Sequence, residues 1–137
     1  MIRMKMEDGR LIFDEFEAES LLSKLNFEKG NGLIAVITQD YENNDILMLA
    51  YANKEAVKLT LTTGYVHYWS RTRNELWKKG STSGHLQLVK EIYVDCDADA
   101  LLIKIDQIGP ACHENYRSCF FRKYNGNDFE IVLEKLE

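Results

Sequence analysis

The chain has 137 residues, 45% of them hydrophobic, and a formal net charge of −5. That length holds one domain with a real core rather than two ordinary ones, and the acidic balance argues against a general nucleic-acid binder. No window approaches the run of about eighteen apolar residues that crosses a membrane, and the opening MIRMKMEDGR has no apolar leader run, so a cytoplasmic protein with reduced thiols is expected.

LIAVITQ (33–39) and ILMLAYA (46–52) are short apolar runs separated by the turn-rich DYENND, the pattern of a hairpin. Asn53 then offers an N-cap to KEAVKLTLTT and Gly64 a stop, which predicts a helix of about ten residues. YVHYWS (65–70) is aromatic and β-branched and reads as a strand, with His67 a packed strand residue rather than a ligand. It runs into RTRNELWKKG, where Arg71, Arg73, Lys78 and Lys79 stand against one anion, Glu75. Such a patch on an acidic chain suits a small anionic ligand such as a phosphate; the plainer alternative is a solvated charged face. The glycine- and hydroxyl-rich KKGSTSG follows as a loop, and HLQLVKEIYVD reads as another strand. Adjacent strands with one clear helix predict a single α+β domain over residues 1–137, with a largely antiparallel sheet and few helices.

Leu86, Leu88, Ile92 and Val94 fall on even numbers, whereas Leu101, Ile103 and Ile105 fall on odd ones. A strand alternates faces with period two, so a bulge, bend or turn is expected at DCDADA, between Asp95 and Ala100. Asp95, Asp97 and Asp99 resemble half of a calcium loop, but Ala100 stands where such a loop needs glycine and Asp106 where it needs glutamate. If the segment is extended, the three carboxylates share one side and suit a hard cation such as magnesium, while Cys96 faces away; three solvated acids are the alternative.

The three cysteines are spaced C-x15-C-x6-C, unlike the paired spacing of a zinc finger. On a helix, Cys112 and Cys119 would be about 10 Å apart, whereas two sulfurs on one zinc lie within about 4.6 Å. Either the segment is a loop that folds back, as Pro110 and ENYRS favour, or these thiols share no metal. Three thiolates with an open fourth position is the arrangement of a catalytic zinc; His113 is a fourth ligand or a base beside the metal. Three buried, inert cysteines are the alternative.

SRTRNELWKKGSTSGHLQLV (70–89), DCDADALLIKIDQIG (95–109) and ACHENYRSCFF (111–121) together resemble the phosphoribosyl-AMP cyclohydrolase family of histidine biosynthesis, over about Leu33 to Arg122. The resemblance implies a homodimer with Zn²⁺ and Mg²⁺. Cys96 from one subunit and Cys112 and Cys119 from its partner match the zinc ligands; Asp95, Asp97 and Asp99 match the magnesium ligands. His113 matches a general base. The substrate implied is a phosphorylated nucleotide, N1-(5-phosphoribosyl)-AMP, whose N1–C6 bond is opened by zinc-activated water. Its phosphates need cations, for which Arg71, Arg73, Lys78 and Lys79, with Ser81, Thr82 and Ser83, are the candidates. The chain ends soon after these motifs, so a single-function form is expected. Relatives tend to carry Thr-Gly where this chain has Glu114 and Asn115, and often Asn at the place of His85, which touches the loop rather than the ligands. The signature of zinc deaminases, H-x-E with C-x-x-C, is missing. A zinc-stabilised binding module, with a closed four-ligand site and no turnover, is the competing expectation.

Overall fold

The computed structural model describes residues 3–137; Met1 and Ile2, where the stretch read for a leader begins, lie outside the described residues. A short hairpin of β1 (Met4–Glu7) and β2 (Arg10–Phe13) leads into helix α1 (Glu15–Ser23). The helix starts where the Asp14 carboxylate accepts from the Glu17 amide at 2.8 Å, satisfying an amide that the first turn leaves unpaired. β3 (Ile34–Asp40) and β4 (Ile46–Ala52) form the hairpin read from LIAVITQ and ILMLAYA. Helix α2 (Lys54–Thr63) has the predicted ends: the Asn53 side chain accepts from the Ala56 amide at 2.9 Å, and Gly64 closes the last turn at φ 74°.

β5 (His67–Ser70) is the strand expected from YVHYWS, but the basic segment after it is a turn followed by β6 (Glu75–Lys78), which pairs back on β5. β7 (Gln87–Val94) and β8 (Ala100–Gln107) form the next hairpin, and β9 (Arg122–Tyr124) with β10 (Phe129–Ile131) the last.

The main sheet runs β4-β3-β8-β7. Its outer pairs are antiparallel, as expected, while the central pair β3–β8 is parallel. Ile34, Val36 and Thr38 on β3 and Leu101, Ile103 and Ile105 on β8 are all buried on one face, against Ala56, Val57 and Leu61 of α2. The opposite face is open. Across it runs an apolar row of directly paired residues, Leu49, Ile37, Leu102 and Tyr93, whose outer members are exposed.

The even-numbered apolar phase expected for β7 is not the buried one. Gln87 and Val89 are the buried residues of β7, not Leu86 and Leu88, and the ladder slips between Val89 and Glu91, inside the strand. Gln87 is buried because it is fully partnered: the Tyr68 hydroxyl donates to Oε1 at 2.6 Å, and Nε2 donates to Gln107 Oε1 at 2.9 Å. The turn expected at DCDADA is present as well, with Ala98 at φ 62°.

Candidate active site

The turn joining β7 to β8 folds around Asp95, whose Oδ1 accepts from the Asp99 and Ala100 amides at 3.0 and 3.2 Å. It gathers one carboxylate oxygen each from Asp95, Asp97 and Asp99 within 4.8 Å of one another. The three acids therefore meet as expected, by a tight turn and not along an extended strand. A cation is already seated among them: the Lys29 ammonium is paired with Asp97 and stands 3.0 Å from Asp99. Lys29 holds the Asp97 carboxyl down to about 2 and is itself held above the usual lysine range by the two carboxylates. It pulls Asp99 down too, but the hydrogen bonds of Asp97 and Asp95 outweigh it and leave Asp99 raised. A hard-oxygen cluster that already accommodates one cation fits the magnesium expectation.

At the other end of the sheet, residues 111–119 fold back on themselves. The Cys112 amide donates to the Tyr116 carbonyl at 3.1 Å, and the Asn115 amide to the Cys112 carbonyl at 2.9 Å. Tyr116 stacks on Phe121 with ring centroids 3.8 Å apart, burying Cys112 beside them. The Cys119 amide donates to the Leu47 carbonyl at 2.7 Å, which fastens the return leg to β4. The fold-back makes Cys112 and Cys119 neighbours, each felt electrostatically by the other, as expected of a loop rather than a helix. Burial first, then the neighbouring Cys112, raises the Cys119 thiol to about 11, against the pull of the Lys79 ammonium. Lys79 is buried, donating to the Ala111 carbonyl at 2.6 Å, and burial lowers its pKa although both thiols oppose that shift. Two neighbouring thiols are the donor type that a soft metal takes.

Cys96 does not reach them within one chain. It precedes β8 and Cys112 follows it, and eight residues of strand span about 26 Å.

A cavity of about 830 Å³ opens over the thiol loop. Arg73, Lys78 and Lys79 line one side with the loop Ser81, Thr82 and Ser83, and Cys112 and the exposed His113 line the other. The expected phosphate-binding residues and the expected base thus share one space, about the size that takes a small ligand. Arg71 is the exception: it does not line the cavity, and its guanidinium lies over the Tyr51 ring at 3.9 Å.

A family model for phosphoribosyl-AMP cyclohydrolase matches residues 48–121, which takes in most of β4, the basic hairpin, the aspartate turn and the thiol loop. The chain belongs to the phosphoribosyl-AMP cyclohydrolase family. It is 63% identical over 95 residues to the phosphoribosyl-AMP cyclohydrolase of Methanospirillum hungatei, covering 69% of this chain and 72% of that one. To the phosphoribosyl-AMP cyclohydrolase of Archaeoglobus fulgidus it is 57% identical over 105 residues, covering 77% and 96%. The histidine biosynthesis bifunctional protein of Thermoanaerobacter pseudethanolicus is 52% identical over 118 residues, covering 86% of this chain; the chain spans about half of that relative's length, 54%.

Membership in a cyclohydrolase family decides for an enzyme over a zinc-stabilised binding module. Asn115 adopts φ 70°, the left-handed region that glycine prefers and asparagine tolerates. Two participants escaped the sequence reading. Lys29, at the aspartate turn, is remote in sequence and in no motif. His85 stands on the cavity wall, and its one signal in the sequence is its departure from the pattern of the family it resembles. Among the described residues no helix is long and apolar enough to cross a membrane.

Proposed function

We propose that the chain is a cytoplasmic, homodimeric phosphoribosyl-AMP cyclohydrolase that opens the N1–C6 bond of N1-(5-phosphoribosyl)-AMP in histidine biosynthesis. The observation that carries this reading is the cavity that the basic hairpin and the STS loop line together with Cys112 and His113. Substitution at N1 leaves the purine electron-poor, so C6 is open to attack by water. The substrate's anionic ends call for fixed donors, and Arg73 and Lys78 supply charge while Ser81, Thr82 and Ser83 supply hydroxyls. His113, exposed at the turn, takes a proton from the attacking water and returns it to the departing ring nitrogen. Cys112 and Cys119, with Cys96 of a second copy, would hold zinc, which would acidify water; Asp95, Asp97 and Asp99 would hold magnesium, which would add positive charge for a phosphate.

The second copy is argued from reach. β8 separates Cys96 from the thiol pair, and the apolar row Leu49, Ile37, Leu102 and Tyr93 offers the open sheet face for association. Purified protein mixed with zinc, magnesium and N1-(5-phosphoribosyl)-AMP should change the ultraviolet absorbance as the purine opens. A protein loaded with both metals that leaves the spectrum unchanged would overturn the proposal.

A further inference from the structure

We propose that His85, held by the C-terminal segment 132–137, is a positioning residue that keeps the two lips of the cavity in register: the GSTSG loop on one side and the Cys112–Tyr116 turn on the other. Its relevance to substrate rests on the function proposed above, while the clamp itself rests on contacts.

His85 is bound to both lips and to the tail. Its amide donates to Ser83 Oγ at 3.2 Å, and a Cβ placed on Gly80 would meet the His85 carbonyl carbon at 2.4 Å, so the loop closes tightly on its backbone. Its ring lies against Gly109, where a Cβ would meet Cδ2 at 2.7 Å, and Gly109 opens the segment leading to Cys112. Nε2 donates to Glu137 Oε1 at 3.1 Å. The tail also grips the opposite lip, since the Leu136 amide donates to the Asn115 carbonyl at 2.8 Å and Lys135 bridges to Tyr116 as an isolated antiparallel pair. His85 and Asn115 both line the cavity, so one short segment ties two parts of its wall together. That segment lies beyond the 48–121 span matched by the family model. A fixed mouth has catalytic value because a misplacement of about 1 Å at a site can cost up to about 10²-fold in rate.

The test is Leu136→Pro, which removes the N–H that donates to Asn115, beside Leu136→Ala, which keeps it. Hydrogen exchange of the 109–118 amides should accelerate about tenfold in Leu136→Pro and stay at the wild-type rate in Leu136→Ala. KM for N1-(5-phosphoribosyl)-AMP should rise severalfold with a smaller fall in kcat, and bound zinc should be unchanged. Glu137→Ala, a surface change, should give a smaller acceleration, while Glu137→Gln, which still accepts from His85, should restore the wild-type exchange rate; this pair carries the test if Leu136→Pro lowers the melting temperature. Unchanged exchange in Leu136→Pro, or equal acceleration in Leu136→Ala, would overturn the clamp. Because exchange is read without substrate, a wild-type protein that fails to turn over sinks the proposed function and leaves the clamp to be judged separately.

Discussion

His113 and its neighbour Cys112 divide the thiol loop between them, the histidine exposed to the cavity and the cysteine packed against Tyr116 and Phe121. If His113 is the base proposed above, His113→Ala should lower kcat by about 10² to 10⁴ while zinc stays bound. Atomic absorption on the purified variant checks it; loss of zinc would make His113 a ligand instead of a base. His67 is the contrasting histidine. It is buried, its Nδ1–H donates to the Tyr65 carbonyl at 2.8 Å, and its ring faces a groove lined by Val36, Ile92 and Leu101. Burial lowers its pKa below the ordinary 6.5. The unfolded chain therefore takes up the proton first as pH falls, and the stability present above about pH 6.5 is lost on acidification through the lowered folded value. Melting temperatures measured from pH 7 down to 5 should fall less steeply in His67→Asn than in wild type. Parallel profiles would show that His67 carries none of the acid sensitivity.

The elements whose signals are local were readable, and α2 is the clearest. Asn53 and Gly64 bracket it in the sequence and cap it in the structure. Gly64 carries a second duty, because a Cβ there would meet Arg10 Cβ at 2.7 Å and the Leu11 carbonyl at 3.1 Å. Gly64→Ala should destabilise by at least about 1–2 kcal/mol from the left-handed backbone alone, with more from the collision with β2; urea denaturation measures it. Helix α1 had a readable signal, Asp14 followed by Glu17 at the third helical position, that the apolar pattern did not reinforce. β6 was hidden because ELWK is half exposed and charged, and its pairing with β5 is what makes it a strand. β7 misled for a different reason: a polar residue, Gln87, occupies its buried face, and a bulge displaces the period midway. The aspartate cluster was legible as composition, but Lys29 comes from 68 positions away to reach Asp97, a distance at which no local pattern speaks. The cavity was foreshadowed by the basic run and the thiol loop, and their meeting is a tertiary fact.

At the scale of the whole molecule, the separation of Cys96 from Cys112 and Cys119 by the length of β8 makes a strong demand. If zinc is built from two copies, inactive Cys96→Ser and Cys112→Ser chains should complement when subunits exchange. In a mixed dimer one site carries both lesions and the other is intact; random pairing makes about half the dimers mixed, so activity should return to about a quarter of wild type. Exchange seen by mass spectrometry without recovered activity would require each chain to complete its own site. The central parallel pair has a consequence of another kind. Ala35 pairs with Ala100, so β3 waits for everything from β4 through β7 before β8 can dock beside it. Closing so long a loop is slow because its entropy is lost before the contacts form. Because β8 joins the aspartate turn to the thiol loop, both ends of the proposed site are set by this late event. A chain still folding presents scattered thiols and carboxylates with no common geometry, so the thiol pair and the carboxylate cluster come into being only after the sheet has closed.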